Sequence, residues 1–289
     1  MERVTALPDS VLREAFGAAN EKHFGLARVF YRLLLGPEWR YCLLGFSYVK
    51  CVDDIVDVDP VPDRALALLE SQLDLMERVY STEISTETSK RTSNGFSDKG
   101  SEEINAEDLP HPARFGYYLF THDRDQGGPL RQILSDIMET MSFDVRRKGR
   151  VLSEAELREH AVKVGATSIR FLGHFVDRGV ELPAPFLRES SLAYLKADNL
   201  IDLEADLADG IINIPAEEIE REKIVLEVSD AGMRRWVETE ATRVASLFER
   251  AREETSRLTG RKMRFLARVY MWRKRRAFLR FLERRTGAN

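Results

Sequence analysis

Carboxylates recur four residues apart in two distant parts of the chain. Asp53 and Asp57, with Asp54 between them, form a first acidic row, and Asp198, Asp202 and Asp206 form a second acidic row. Residues four apart share one face of a helix, so each row would bring like charges together at a cost of about 0.2–0.5 kcal/mol per pair. Asp is also a poor residue for a helix interior. A bound cation would offset this cost, so both rows are candidate metal ligands.

Magnesium suits these ligands, because it prefers carboxylate and phosphate oxygens and is usually held by one or two carboxylates together with substrate phosphates. Two acidic rows that face each other would suit two or three such ions around one diphosphate. The ions would neutralise the charge that develops as the diphosphate leaves. An allylic substrate would then form a stabilised carbocation.

Lys50 and Phe46 extend the first acidic row. Lys50 lies three residues before Asp53 and seven before Asp57, so it shares their face, where its ammonium group can reach a phosphate oxygen. Phe46 continues the same face as an apolar wall. For one row alone, a solvated acidic helix face is the commoner explanation. Two rows, one of them preceded by Lys50 and set among Val, Ile and Leu, favour a ligand site.

Apolar residues recur at helical spacing in nearly every long segment, for example at Leu66, Leu69, Leu73, Met76 and Val79. Sustained alternation with β-branched residues is rare. With 43% hydrophobic and 32% charged residues, the chain can bury a sizeable core. We predict an all-α protein.

The stretch from about 81 to 112 is rich in Ser, Thr, Glu, Lys, Asn and Gly and has almost no apolar residues. This composition predicts a flexible polar insertion, although a loop of this length can also mark a domain boundary. The two acidic rows lie on opposite sides of the stretch, and neither is useful alone. We therefore predict a single domain over residues 1–289 that contains the insertion.

Cellular location and macromolecular partners follow from composition. Cys42 and Cys51 are the only cysteines, and within one predicted helix they are too far apart for an undistorted disulfide. Neither a signal-peptide pattern nor a run of about 20 apolar residues is present, so we expect a cytoplasmic protein. The basic segment from Arg261 to Arg285 is expected either to be a solvated helix that covers a cavity or to lie peripherally on an anionic membrane. Nucleic-acid binding is not expected, because the net charge is −4 and no recognised motif occurs.

Taken together, these residues resemble the squalene/phytoene synthase family of prenyl diphosphate enzymes. Asp53 to Asp57 is similar to the family's first aspartate-rich motif, and Asp202 to Asp206, followed by Gly210 and Pro215, keeps the spacing of its second. Weaker similarities follow in order at Phe24 with Leu26 and Ala27, at Asp144, at Val164 to Thr167 and at Ala267 to Tyr270. The resemblance covers most of the chain outside the polar insertion.

The resemblance implies an all-α helical bundle with a central cavity and magnesium at both aspartate motifs. It also implies ionisation of an allylic prenyl diphosphate, such as farnesyl, geranylgeranyl or a shorter one, and by family frequency the acceptor is a second prenyl diphosphate joined head to head. The implied metal ligands are Asp53, Asp57, Asp202 and Asp206, which are catalytic, and the assisting Asp54 and Asp198. Participation of NADPH in a second, reductive step is left open.

Aromatic and small residues are candidates for the walls of the cavity. Phe24, Phe46, Phe171 and Tyr270 could shield a carbocation through cation–π attraction, and core filling is the alternative for each. The small residues at 165–168 either leave room for an isoprenoid tail or pack closely against another helix.

The second motif departs from the family pattern. The family's usual arginine just before the motif is Ile201 here, its usual basic residue after Gly210 is Ile211, and its asparagine position holds Asp198. Two diphosphates need positive charge around them, so the loss of these cations favours an uncharged acceptor. Prenylation of a small aromatic acceptor, such as a carbazole, is therefore an alternative function.

Departures also occur near the start of the chain. The family's serines close to Phe24 are replaced by Glu21 and His23, and Lys22 between them remains as a phosphate-binding cation. A protein that has lost part of its site could also persist as a non-catalytic helical assembly factor of the same fold. That alternative predicts that the acidic rows are dispensable for its biological activity.

Overall fold

The computed structural model describes residues 7–18, 32–81, 104–178 and 180–286. Every regular element in these ranges is a helix, and none of the described residues forms a strand. The all-α prediction is therefore confirmed. Lys22, Phe24 and residues 82–103 of the predicted insertion lie outside the described residues. No described helix is long and apolar enough to cross a membrane.

Residues 32–35 are helical. The α-helices that begin and end within the described residues are numbered in chain order. They are α1 (Asp9–Ala18), α2 (Trp39–Val58), α3 (Pro62–Ser81), α4 (Ala113–Arg124), α5 (Leu130–Arg147), α6 (Glu154–Val176), α7 (Ala184–Ile201), α8 (Leu203–Ala208), α9 (Ala216–Glu222), α10 (Ala231–Arg257) and α11 (Arg261–Thr286). Short 3-10 turns occur at Gly36–Glu38 and Ala106–Asp108.

The helices belong to two compact units, residues 1–135 and residues 136–289, and the boundary falls within α5. In the first unit α2 packs against α1 and α4, and α3 packs against α4. In the second unit α7 packs against α6, α10 and α11, so α7 is its central helix. The first acidic row belongs to the first unit and the second row to the second. A single domain over residues 1–289 stays a prediction.

Helix α2 carries the first acidic row. Leu44, Tyr48, Val52 and Val56 recur every four residues and are buried, so this face of α2 belongs to the core of the first unit. The helix ends at Val58, because the next residue has an extended backbone and precedes a proline, which disfavours helical geometry.

Helices α6 and α7 form the centre of the second unit. A capping box begins α6, because the Ser153 hydroxyl accepts from the Glu156 N–H and the Glu156 carboxylate accepts from the Ser153 N–H. Helix α7 begins after Pro183, where a missing N–H costs no helical hydrogen bond. Ala193 and Ala197 of α7 are fully buried, which lets neighbouring helices approach it closely.

Helix α11 packs on α7 and α10 through one face. Its buried side chains include Met263, Leu266, Ala267, Phe278 and Phe281. Because these residues lie on one side of the helix, the opposite side is left for exposed residues.

The described end of the predicted insertion contains a short ordered turn. Asn105 caps the 3-10 turn Ala106–Asp108, because its side chain accepts a hydrogen bond from the Glu107 N–H. Arg114 donates to the carbonyl of Glu107 at 3.0 Å, which ties the turn to α4. Flexibility of the stretch 81–112 as a whole stays a prediction.

Candidate active site

The first acidic row lies on the outward side of α2. The side chains of Asp53 and Asp54 are 39% and 57% exposed, and Lys50 donates to both carboxylates, at 3.4 Å to Asp53. Asp57 and Phe46 are also exposed. Burial would lower the pKa of Lys50, but the hydrogen bond to Asp54 and the charge of Asp53 raise that pKa overall. Lys50 therefore lies beside the row as a charged ammonium group, and its role toward phosphate stays a prediction.

The second acidic row continues across a break in the helix. Helix α7 ends at Ile201, and Asp202, with φ −97° and ψ 6°, separates it from α8. The N–H of Asp202 still donates to the Asp198 carbonyl, and the N–H of Asp206 donates to the Asp202 carbonyl, each at 2.8 Å. Because these bonds join residues four apart, the three aspartates keep a helical spacing and share one side.

Burial and neighbouring charge change the ionisation of Asp202 and Asp206 in this row. Partial burial and the charge of Asp198 raise the pKa of Asp202, against the charge of Lys274. Burial raises the pKa of Asp206 to about 6, and Asp202 adds to this shift although the Asn213 side chain opposes it. In both carboxylates burial is the main cause of the raised pKa, and the positive charge nearby does not outweigh it.

Lys274 of α11 is a cation next to the second row. Its ammonium group donates to Asp198 and lies 4.2 Å from the centre of the Tyr194 ring. The Lys274 side chain is only 12% exposed, so water screens this pair weakly. Sequence reasoning missed Lys274, because 76 residues separate it from Asp198 and it lies in a segment that the sequence predicts to be either a solvated helix over a cavity or a peripheral membrane contact.

A buried arginine connects Asp144 to the second row. Arg147 is 5% exposed, and it donates to Asp144 at 2.5 Å and to the Asn213 side-chain oxygen at 3.0 Å. The Asn213 amide donates in turn to Asp206 at 2.8 Å. His160 contacts the same Asp144 carboxylate at 3.0 Å. Arg147 therefore helps to fix the position of Asp206 through Asn213.

A cavity of about 290 Å³ lies between α6, α7 and α11. Most of its lining is apolar or aromatic, and the uncharged lining residues are Val164, Gly165, Ser168, Ile169, Leu172, Phe186, Ser190, Ser191, Tyr194, Leu195, Met263, Leu266, Ala267, Tyr270 and Met271. Asp198 is the one charged residue of this lining, and it is the last α7 residue in it. The second acidic row therefore begins where the apolar lining of α7 ends.

The predicted aromatic residues have different surroundings. Tyr270 lines the cavity and stacks on Tyr194, with the ring centroids 4.8 Å apart. Phe171 is 8% exposed and packs edge to face on Phe175, outside the cavity lining. This position of Phe171 fits the core-filling alternative. Phe46 lies in the first unit and is 43% exposed.

Gly165 lies where α6 and α7 come together. A Cβ atom at this position would overlap with the Cβ of Ser191, so the missing side chain allows the two helices to approach closely. Gly165 and Ser168 also line the cavity. Gly165 therefore allows close helix packing and also lines the cavity, so both interpretations of this residue remain open.

The acidic rows suit magnesium in their ligand type. Among the described residues, no group of three or more His, Cys, Asp or Glu side chains is arranged to hold a metal ion by itself. Magnesium does not need such a cage, because its usual ligands are one or two carboxylates with substrate phosphates and water. Burial raises the pKa values of Asp202 and Asp206, and a bound cation would favour their charged forms. That the two rows face each other across one cavity stays a prediction.

The fold is similar to that of a solved enzyme, squalene synthase HpnC from Alicyclobacillus acidocaldarius. The TM-score is 0.67 at 18% sequence identity, and the match covers 99% of this chain and 98% of that chain. At this identity the likeness shows the fold alone. The protein thus has the all-helical squalene synthase fold.

The family of the protein follows from its sequence profile. Residues 32–288 match the family described as Squalene/phytoene synthase. Because this match spans most of the chain, the protein belongs to the squalene/phytoene synthase family, as the two aspartate motifs predicted. Membership places it among the prenyltransferase-type enzymes of isoprenoid biosynthesis. No curated protein sequence matches the chain significantly.

Proposed function

We propose that this protein is a magnesium-dependent prenyltransferase that ionises an allylic prenyl diphosphate and transfers the prenyl group to an acceptor. One observation carries the proposal: Asp198 of the second acidic row is the charged residue in an otherwise uncharged and mostly apolar cavity. A prenyl diphosphate has a matching division into a charged head and a hydrocarbon tail. Membership of the squalene/phytoene synthase family supports this reaction class.

The second acidic row would bind the diphosphate head. Asp202 and Asp206, assisted by Asp198, supply carboxylates for magnesium, and Lys274 supplies a cation beside them. Magnesium bound there would neutralise the charge that develops on the diphosphate as its C–O bond breaks. The Asn213 amide orients the Asp206 carboxylate in advance, which reduces the rearrangement needed on binding.

The first acidic row would hold magnesium and phosphate in the same way. Asp53 and Asp57 are assigned as metal ligands, with Asp54 assisting them. Lys50 would contact phosphate, and its pairing with Asp53 and Asp54 already keeps the ammonium group beside the row. Lys22 is assigned the same kind of contact on its sequence position alone.

The cavity would hold the hydrocarbon tail. Its mostly apolar lining would keep water away from the tail, which would protect an allylic carbocation from capture by solvent. Tyr194 lies one helical turn before Asp198 and stacks on Tyr270. Because the Tyr194 ring already contacts Tyr270 and the Lys274 ammonium group, the Tyr270 ring would be the one to stabilise positive charge that develops beside the diphosphate head.

The acceptor is proposed to be a second prenyl diphosphate, joined head to head. Family membership favours this acceptor, and the structurally similar HpnC is a squalene synthase. The loss of basic residues at Ile201 and Ile211 favoured an uncharged aromatic acceptor instead. Lys274 and Arg147 weaken that argument, because they bring positive charge to the second row from other helices.

Release of inorganic diphosphate tests the proposed reaction. The purified protein is incubated with geranyl, farnesyl or geranylgeranyl diphosphate in the presence of Mg²⁺ or of EDTA. We expect magnesium-dependent release with at least one chain length. Asp202→Asn should lower the rate by about 10²–10³-fold, as expected when a group that stabilises developing charge is lost. Asp209→Asn is the matched control, because Asp209 is an exposed carboxylate just after the row.

Absence of release with every chain length, alone or with prenyl and aromatic acceptors, would contradict the proposal and favour a non-catalytic assembly factor. Mass spectrometry of the products separates the acceptor classes. A hydrocarbon built from two prenyl groups supports head-to-head condensation, and a prenylated aromatic compound supports the alternative. A hydrocarbon formed only with added NADPH would reveal a reductive second step.

A further inference from the structure

Helix α11 presents an exposed apolar stripe, which consists of Phe265, Trp272 and Leu279. Their exposed fractions are 49%, 58% and 45%. They are seven residues apart, so they lie on one face of the helix. The opposite face of α11 is buried through residues such as Phe278 and Phe281. Large apolar side chains exposed in a row are a sign of an interaction surface.

Basic residues flank this apolar stripe on both sides. Helix α11 contains eleven Arg and Lys residues and a single acidic residue, Glu283. At about 100° per residue, Arg268 and Arg275 lie on one side of the stripe, and Arg276 and Arg280 lie on the other. All four arginines are exposed. The surface therefore combines apolar side chains with a strong positive charge.

Two of the flanking arginines have side-chain contacts with neighbouring groups. Arg275 pairs with Glu249 of α10 at 3.1 Å. Arg276 lies over the Trp272 ring, 5.5 Å from its centre, which leaves its charge on the stripe itself.

We infer that α11 docks on the surface of an anionic lipid membrane. The apolar stripe would enter the boundary between lipid headgroups and acyl chains, and the flanking arginines would contact the anionic headgroups. Trp272 suits that boundary, because its ring has an apolar body and a polar N–H. An acidic protein or a nucleic acid would match the arginines but would leave the exposed apolar stripe without a purpose.

This contact would give α11 two functions on opposite faces. Its inner face lines the cavity through Met263, Leu266, Ala267, Tyr270 and Met271. Its outer face would rest on the lipid surface. The cavity wall and the membrane would then be one helix apart, which suits a substrate whose tail dissolves in lipid. The membrane contact itself does not depend on the proposed reaction.

Trp272 is a direct probe of the membrane contact. The other two tryptophans, Trp39 and Trp236, are buried, at 9% and 2% exposure. The full chain is mixed with vesicles of phosphatidylcholine alone or with added phosphatidylglycerol, and the spectrum of Trp272→Phe is subtracted. With phosphatidylglycerol we expect a blue shift of Trp272 emission and quenching by brominated acyl chains. Salt should reduce both effects, because it screens the arginines.

Vesicle sedimentation then tests the residues that carry the contact. Arg268→Gln and Arg276→Gln should each lower the affinity for anionic vesicles roughly fivefold. Trp272→Ser combined with Leu279→Ser should lower it at least as much. The controls are Val225→Ser, at an apolar residue that is 55% exposed elsewhere, and Arg158→Gln, at an exposed arginine of α6. Both should leave the affinity unchanged, and thermal unfolding checks that every variant is folded.

Three results would overturn the membrane contact. They are the absence of vesicle binding, equal binding to neutral and anionic vesicles, and binding that the α11 variants do not alter. Tight binding to a duplex oligonucleotide or an acidic polypeptide that depends on Arg268 and Arg276 but not on Trp272 would also overturn it. Diphosphate release from water-soluble geranyl diphosphate should be unchanged in the α11 variants. This separates failure of the membrane contact from failure of the proposed reaction.

Discussion

Lys274 of α11 donates a hydrogen bond to Asp198 of α7, although 76 residues separate them in the sequence. Asp198 belongs to the second acidic row and lines the cavity. The same ammonium group lies 4.2 Å from the centre of the Tyr194 ring. Lys274 therefore brings to this row a positive charge that position 201, an isoleucine, does not supply.

Replacing Lys274 by Met should weaken the binding of a prenyl diphosphate. The Lys274 side chain is largely buried, so its loss leaves Asp198 without this cation beside the cavity. A hydrogen bond to a charged group is worth roughly 1.5–3 kcal/mol, so we expect KM for the prenyl diphosphate to rise about ten- to a hundredfold. Lys274→Arg should keep most of the affinity. Steady-state kinetics of diphosphate release measure both variants.

Lys262→Met is the matched control for Lys274, because Lys262 is an exposed lysine of the same helix. An equal rise in KM in both Met variants would indicate a general effect of charge on α11. An unchanged KM in Lys274→Met would remove Lys274 from the site.

Asp206→Asn should stabilise the metal-free protein. The pKa of Asp206 is raised from 3.8 to about 6, so the folded state holds this proton more tightly than the unfolded state. Stability therefore falls as pH rises through this interval, and the full penalty is present above about pH 6. We expect the variant to gain about 1–2 kcal/mol in the free energy of unfolding at pH 7, after allowance for partial exposure. Urea titrations at pH 7 and pH 4 measure the difference.

The gain in Asp206→Asn should largely disappear at pH 4, because the folded carboxyl is then protonated and the pH is close to the unfolded pKa of 3.8. Magnesium with inorganic diphosphate should stabilise the wild type more than the variant at pH 7. A variant that is less stable than the wild type at pH 7 would contradict this account of the row.

Arg147→Met should destabilise the second unit. Arg147 is buried and bonds to Asp144 and Asn213, so its loss removes a donor from Asn213 and leaves His160 as the remaining partner of Asp144. Removal of one partner of such a pair costs about 3 kcal/mol in the free energy of unfolding. Chemical denaturation at pH 7 measures the loss, and Arg146→Met, at the exposed neighbouring arginine, is the control.

The effect of Arg147→Met should shrink in acid. Burial would raise the pKa of Asp144, but His160 and Arg147 lower it overall. A carboxylate with a lowered pKa contributes stability above its unfolded pKa and loses it as pH falls through its folded pKa. A difference between variant and wild type that stays constant into that acid range would argue against the Asp144 pair as the cause.

Gly165→Ala and Gly173→Ala in α6 should have opposite effects. Alanine normally stabilises a helix by about 0.5–1 kcal/mol over glycine. A Cβ at Gly173 would meet Leu182 at 3.4 Å, which is ordinary contact, so Gly173→Ala should raise the free energy of unfolding. A Cβ at Gly165 would overlap with Ser191, so Gly165→Ala should lower it by about 1–3 kcal/mol. Denaturant titration of both variants measures the two changes in the free energy of unfolding. Equal changes would contradict the close contact of α6 with α7.

Local pattern was sufficient to predict the helices. In α3, the predicted apolar positions Leu69, Met76 and Val79 are buried and Leu66 and Leu73 are half-buried, because a period of 3.6 residues places them on one side of the helix. The second acidic row was also predictable from spacing, since the backbone bonds of Asp202 and Asp206 preserve it. The helix break at Asp202 does not change that spacing, so the spacing did not predict the break.

The local sequence pattern could not predict the tertiary contacts of the site. Lys274 and Asp198 are 76 residues apart, and Arg147 and Asn213 are 66 apart. No helical periodicity links such positions. For Asp144, the resemblance to the family gave a signal that spacing alone did not. Phe171 is a residue that the sequence made a candidate for the cavity wall. Its side chain is instead buried outside the cavity lining.

Calorimetric binding of farnesyl thiodiphosphate, a slowly reacting analogue, tests most directly whether the acidic row and the apolar cavity hold one prenyl diphosphate. We predict binding that requires Mg²⁺. Asp202→Asn should weaken both the farnesyl analogue and inorganic diphosphate, whereas Ser168→Phe in the cavity wall should weaken only the farnesyl analogue. Equal affinity with and without Mg²⁺, or wild-type affinity in both variants, would contradict the proposed site.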